Sequence, residues 1–187
     1  MKFKPLILTL FFVSCSLSNV SAQSSKFSIQ SSNIADGATI SNKHVYNNFG
    51  CSGKNLSPQI SWSNTPAETK SFALTVYDPD APTGSGWWHW VLINIPAKYN
   101  SLPINFGEKN QFRLVDGIMQ IRNDFSNFSF GGPCPPKGAK AHRYIFTIHA
   151  LRVENLELQE NSTAALAGFM INQSSLAKAS FTSYFGR

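Results

Sequence analysis

Three stretches of alternating apolar residues, each of strand length, constrain this chain most: "SFALTVYD" from Ser71, "WHWVLINI" from Trp88 and "HRYIFTIHAL" from His142. Alternation with period two sends successive side chains to opposite faces of a strand, so each stretch predicts an apolar face against a core. A shorter run, "FSI" near Phe27, extends the pattern, and turn clusters such as "ADG", "SNTPAETK" and "GGPCPPKG" separate the runs. The chain is therefore predicted to be mainly β. One segment argues for a helix. After Asn161 or Ser162 as N-cap, Leu166, Phe169, Met170, Gln173, Leu176 and Ser180 follow helical spacing, and the helix is expected to pack by its Leu166/Phe169/Met170 face. Residues 97–130 are the least regular part.

Size and charge exclude several classes. With 187 residues, of which 42% are hydrophobic, the chain can bury one substantial core. Its formal charge is +6, no basic run exceeds a dipeptide, and no nucleic-acid partner is expected. Residues 1–22 have the pattern of a secretory signal peptide: Lys2 and Lys4, then the apolar "LILTLFFV", then "VSA" before Gln23. Eight apolar residues fall far short of the roughly 20 that span a bilayer, so no membrane span is expected. A lipoprotein acylated at Cys15 stays open. Residues 23–187 then form a single domain, periplasmic or secreted. They keep two cysteines, Cys51 and Cys134, and an even pair in an exported chain reads as one disulfide, with two buried thiols as the alternative.

Strand parity groups the polar residues. Asp78 shares a face with Phe72, Leu74 and Val76; His89 with Val91, Ile93 and Ile95; His142 with Tyr144, Phe146 and Ile148. Each apolar face ends in a chemically capable side chain beside a loop rich in Gly and Pro. Three such strands in one sheet would gather Asp78, His89, His142 and Tyr144 at a single rim. A carboxylate beside a histidine favours the protonated ring, so Asp78 is expected to raise the pKa of His89 above about 6.5, against the opposing effect of burial. A charged imidazole, a phenol and loop N–H groups would make an anion receptor. His44 and His149 are expected to be satisfied core residues.

The blocks "YDPDAPTGSGWWHWVLINIPA" and "GGPCPPKGAKAHRYIFTIHAL" resemble the two signatures of the phosphatidylethanolamine-binding protein family, in its bacterial Raf-kinase-inhibitor-like branch. The similarity runs over nearly all of residues 23–187. It implies a large central antiparallel sheet, a second smaller sheet, a C-terminal helical element and a small pocket for phosphate-like anions. By motif position the pocket residues correspond to Asp78, Ala81, Pro82, His89, Pro135, Pro136, His142 and Tyr144, with Asp80 supporting the loop. The stretch "NDFSNFSFGGPCPP" departs from the family at Phe125 and Ser126, which puts the lip of the pocket in question.

The leading expectation is an exported, noncatalytic binder of a phosphorylated ligand or phospholipid head group. Family members elsewhere modulate kinases or inhibit peptidases; protein partners, a second copy of this chain among them, are left open. A hydrolase using Asp78 and His89 is the enzymatic alternative, but no G-x-S-x-G nucleophile motif occurs. Carbohydrate binding through Trp87 and Trp88 is a third reading. No histidine spacing supports a metal site at Asp78, His89 and His142, and no cofactor is expected.

Overall fold

The computed structural model describes Met1 and residues 26–187, so the signal-peptide reading lies outside the described residues. Among the described residues, eight strands form two antiparallel sheets. The smaller holds β1 (Ser28–Gln30), β2 (Ile60–Ser63) and β5 (Ser101–Leu102), in that order. The larger holds β3 (Ser71–Asp78), β4 (Trp87–Pro96), β6 (Met119–Gln120), β7 (His142–Leu151) and β8 (Ser175–Phe185). Its order is β6-β4-β3-β7-β8.

Both faces of the large sheet are covered, which explains why β3 and β4 are buried almost throughout. Toward the small sheet, Phe72, Leu74, Val76, Trp90, Leu92, Phe146 and Ile148 pack with Phe27, Ile60, Trp62 and Leu102. On the opposite face, Ala73, Val91, Ile93 and Leu151 pack under the helix α1 (Ala164–Ser174). The result is three layers with two cores, one on each side of the same sheet.

The alternation in β4 is broken twice, which corrects the parity grouping. Val76 stands opposite Trp90 and Tyr77 opposite Trp88, so one step on β3 faces two steps on β4 and His89 is the extra residue. A second irregularity lies between the pairs Phe72–Ile95 and Leu74–Leu92, where Asn94 has a φ of 58°. Val91 and Ile93 therefore face the helix layer, while Ile95 faces the small sheet. His89 is turned by the bulge to the side of Trp90 and Tyr144, away from Val91. A bulge redirects a side chain at the cost of one unpaired residue in the ladder.

The C-terminal element also differs from expectation. Its N-cap is Thr163, whose Oγ1 accepts the Leu166 N–H at 3.1 Å. The helix ends at Ser174 and the chain passes directly into β8, whose residues pair with β7 from His142 to Leu151. The Ser175 hydroxyl donates to the Ile171 carbonyl at 2.8 Å, closing the last turn. Pairing along a ten-residue strand outweighed the helical spacing of Leu176 and Ser180. The buried helix face is Ala164, Ala167 and Ile171, whereas Leu166 and Phe169 are exposed. Gly168 lies beside the Trp88 ring, where an added Cβ would sit 3.4 Å away in ordinary van der Waals contact.

Candidate functional site

One end of the large sheet, on the small-sheet side, opens into a cavity of about 160 Å³. Asp78 comes from the end of β3, Trp87 and His89 from the start of β4, and His142 and Tyr144 from the start of β7. Antiparallel pairing brings the end of β3 beside both of those starts, so three strands supply one wall. Ala81 and Pro82 come from the loop after β3, and Pro135 and Pro136 from the loop before β7. All eight residues expected from the sequence thus line the same cavity. Phe49, Thr83, Phe125 and Cys134 also line it.

Hydrogen bonding within the wall differs from the expected pattern. Asp78 pairs with His142, not His89: the His142 Nδ1 lies 2.7 Å from Asp78 Oδ2. A carboxylate only accepts, so Nδ1 carries the proton in that bond. The other Asp78 oxygen accepts the Asp80 N–H at 2.8 Å, shaping the loop that follows. His89 instead donates from Nδ1 to the Gly131 carbonyl at 2.6 Å. Burial among apolar neighbours pushes the His89 pKa well below its ordinary value, more than the nearby Asp78 charge raises it. The expectation of a His89 held charged by Asp78 is overturned, and the hydrogen-bonded Asp78–His89 pair of the hydrolase alternative is not formed.

Among the described residues, two hydrogen-bond donors on the wall are buried without a partner. They are the Tyr144 hydroxyl and the Trp87 indole N–H. Burial is also the main reason that the Tyr144 phenol is pushed far above its ordinary pKa, so it remains a neutral donor. Trp87 packs edge-on against Phe125 at 5.3 Å, while Trp88 packs on Tyr77 at 4.6 Å. Of the two tryptophans in the carbohydrate reading, Trp87 lines this cavity and Trp88 lies outside it.

The surrounding loops are fastened by contacts that run far along the chain. Asp80, outside the cavity wall, forms a two-pronged ion pair with Arg143, with N–O distances of 2.9 and 2.7 Å. That pairing holds the Asp80 carboxyl down at about 2. Cys51 and Cys134 form a disulfide with Cα atoms 6.0 Å apart. Arg187 bridges the same two loops, donating to the Pro135 carbonyl at 2.6 Å and the Gly50 carbonyl at 2.8 Å. Asn55 accepts the Gly132 N–H at 2.7 Å and donates to the Phe130 carbonyl at 3.1 Å. Gly132 has no substitute at this approach, since a Cβ there would fall 2.0 Å from the His44 carbonyl oxygen.

Phe125, flagged in the sequence only as a departure, is central to the lip. Its ring lies 4.2 Å from Tyr46, 5.6 Å from Phe49 and 5.3 Å from His89. Buried Asn123 holds the turn that presents it, accepting the N–H groups of Phe125 and Asn127. Phe49 and Arg187 carried no signal in the sequence. His44 and His149 lie outside the cavity, bonded to the Leu56 carbonyl and the Ser175 hydroxyl respectively.

The fold, with a cavity at the sheet end between Pro- and Gly-rich loops, is that of a binding protein. The family model described as "Phosphatidylethanolamine-binding protein" matches residues 30–186, and the chain belongs to that family. It is 49% identical over 162 residues to the UPF0098 protein YbcL of Escherichia coli K12, covering 87% of this chain and 88% of YbcL. To YbhB of the same organism it is 47% identical over 155 residues, covering 83% and 97%. The crystal structure of E. coli YbcL, described as a new member of the mammalian PEBP family, superposes with a TM-score of 0.84 at 47% identity, covering 87% of this chain and 99% of that one. A putative PEBP homologue from Chlamydia trachomatis gives a TM-score of 0.70 at 27% identity, covering 86% and 97%.

Proposed function

We propose that this is an exported, noncatalytic binding protein whose cavity receives a phosphate-like anion, presented by a phospholipid head group or a phosphorylated small molecule. The observation that carries this reading is the pair of orphaned donors, Tyr144 hydroxyl and Trp87 N–H, on one cavity wall. A buried donor without a partner costs about 1–3 kcal/mol, and an acceptor-rich ligand recovers that cost. The family description supports a lipid-like ligand. Among the described residues no helix is long and apolar enough to cross a membrane.

The cavity's one alcohol hydroxyl among the described residues and its sulfur argue for binding over catalysis. Thr83 Oγ1 donates to the Gly86 carbonyl at 2.5 Å, and Cys134 is held in the disulfide. Neither is hydrogen-bonded to a base as an activated nucleophile would be. Export is supported by the first 22 residues and by a disulfide, which persists in oxidising compartments.

Calorimetric titration with inorganic phosphate, phosphoethanolamine and a disaccharide tests the reading. Binding of the two phosphates is expected, with loss in His89→Ala and retention in His149→Ala. Heat from the disaccharide alone, or equal phosphate binding by both variants, would sink it.

A further inference from the structure

We propose that the cavity takes up one proton together with its phosphate-like group, so that the ligand is held through a shared proton at His89. The inference rests on the anion-binding reading above and specifies which form of the anion the site accepts.

The argument begins with charge. Among the described residues lining the cavity, none is a lysine or arginine, and one, Asp78, is a carboxylate. An anion entering such a cavity finds no fixed positive charge. His89 donates from Nδ1 to the Gly131 carbonyl, so in the neutral ring Nε2 bears a lone pair. The partnerless donors, Tyr144 and Trp87, are both uncharged groups. An ionised phosphate oxygen set against the Nε2 lone pair gains nothing from the contact. A proton between them makes a charge-assisted hydrogen bond, roughly twice as strong as a neutral one.

The groups around His89 make the uptake feasible. Asp78 on β3 favours the imidazolium by its charge, and the Gly131 and Gly132 carbonyls favour it by hydrogen bonding. His142 on β7 and burial oppose it, and burial is the largest influence. Tyr144, also on β7, faces the ring edge-on at 5.1 Å, and Phe125 does so at 5.3 Å. The empty cavity thus keeps His89 neutral, and an incoming anion supplies the missing charge. The proton comes from solvent with a phosphodiester, and from the ligand's own P–OH with a singly ionised phosphomonoester. In both cases one hydrogen lies between phosphate oxygen and Nε2.

Dimethyl phosphate is the appropriate probe, because it stays singly charged over the neutral range and contributes no titration of its own. Calorimetry in two buffers of different protonation enthalpy should show close to one proton taken up per anion at about pH 8, with Kd rising about tenfold per pH unit. His89→Gln should flatten that slope, and His149→Gln, outside the cavity, should keep it. Binding of dimethyl phosphate without proton uptake, or a slope that survives His89→Gln, overturns the inference and leaves the anion site standing. No binding of dimethyl phosphate or inorganic phosphate even at about pH 5 overturns the proposed function, and this inference with it.

Discussion

Asp78 holds His142 at 2.7 Å across neighbouring strands, and so leaves His89 to a backbone carbonyl. The two histidines of the cavity therefore have different roles. His142 anchors the carboxylate that shapes the loop after β3, while His89 keeps one ring nitrogen uncommitted.

Removing an unpaired hydroxyl should separate stability from binding. Tyr144→Phe deletes a buried donor that has no partner, so the empty protein should be unchanged or more stable by up to about 1 kcal/mol. Phosphate affinity should fall about tenfold or more, since a hydrogen bond to a charged group is lost. Urea denaturation and calorimetry on the same variant check both halves. A loss of stability with full binding would contradict the assignment.

Arg187 should matter to affinity more than its terminal position suggests. It ties the Gly50 loop to the Pro135 loop, and both loops contribute to the cavity. Arg187→Ala should weaken phosphate binding about fivefold to tenfold, with the fold retained by circular dichroism. Unaltered affinity would show that the disulfide alone fixes the two loops.

The disulfide closes a sequence separation of 83 residues. Replacing both cysteines with serine should cost about 2–5 kcal/mol of stability and loosen the wall formed by Phe49 and Pro135. Guanidinium unfolding of the parent and the double variant measures it; coincident curves would show that the bridge constrains nothing.

Acid should destabilise the fold through His149. Burial holds its folded pKa down at about 4, below the unfolded value of about 6.5. The unfolded chain therefore binds more protons between those values, and stability falls as pH drops from about 6.5 to about 4. His44, lowered mainly by burial, acts in the same direction. His149→Gln should show a shallower loss between about pH 7 and pH 5 than the parent. Identical losses would place the acid sensitivity elsewhere.

The sequence disclosed the strands of the large sheet and the site's membership more readily than its wiring. β3, β4 and β7 were visible as alternation because each presents apolar side chains to a core. All eight expected pocket residues reached the cavity, yet the parity argument placed His89 with Val91 and Ile93, which belong to the other core. A bulge leaves no mark in hydrophobic periodicity, because it is a property of two strands paired with unequal step counts. The partner of Asp78 was hidden for a similar reason: His142 and His89 lie on opposite neighbours of β3, and register alone decides between them. Asn55 and Arg187 act on backbone groups that lie 75 and 52 residues away along the chain, which no local pattern records. The helix failed at its C-terminal half because Leu176–Ser180 is also a plausible strand, and β7 was there to pair with it.

The unpaired position of His89 has an evolutionary consequence. Without that residue, Trp88 and Trp90 would be neighbours and the ladder opposite Val76 and Tyr77 would run evenly. A sheet that turns a histidine into the cavity and one that does not would then differ by a single codon. Deleting it in the gene should yield a chain with the parent's far-ultraviolet circular dichroism and no affinity for phosphate.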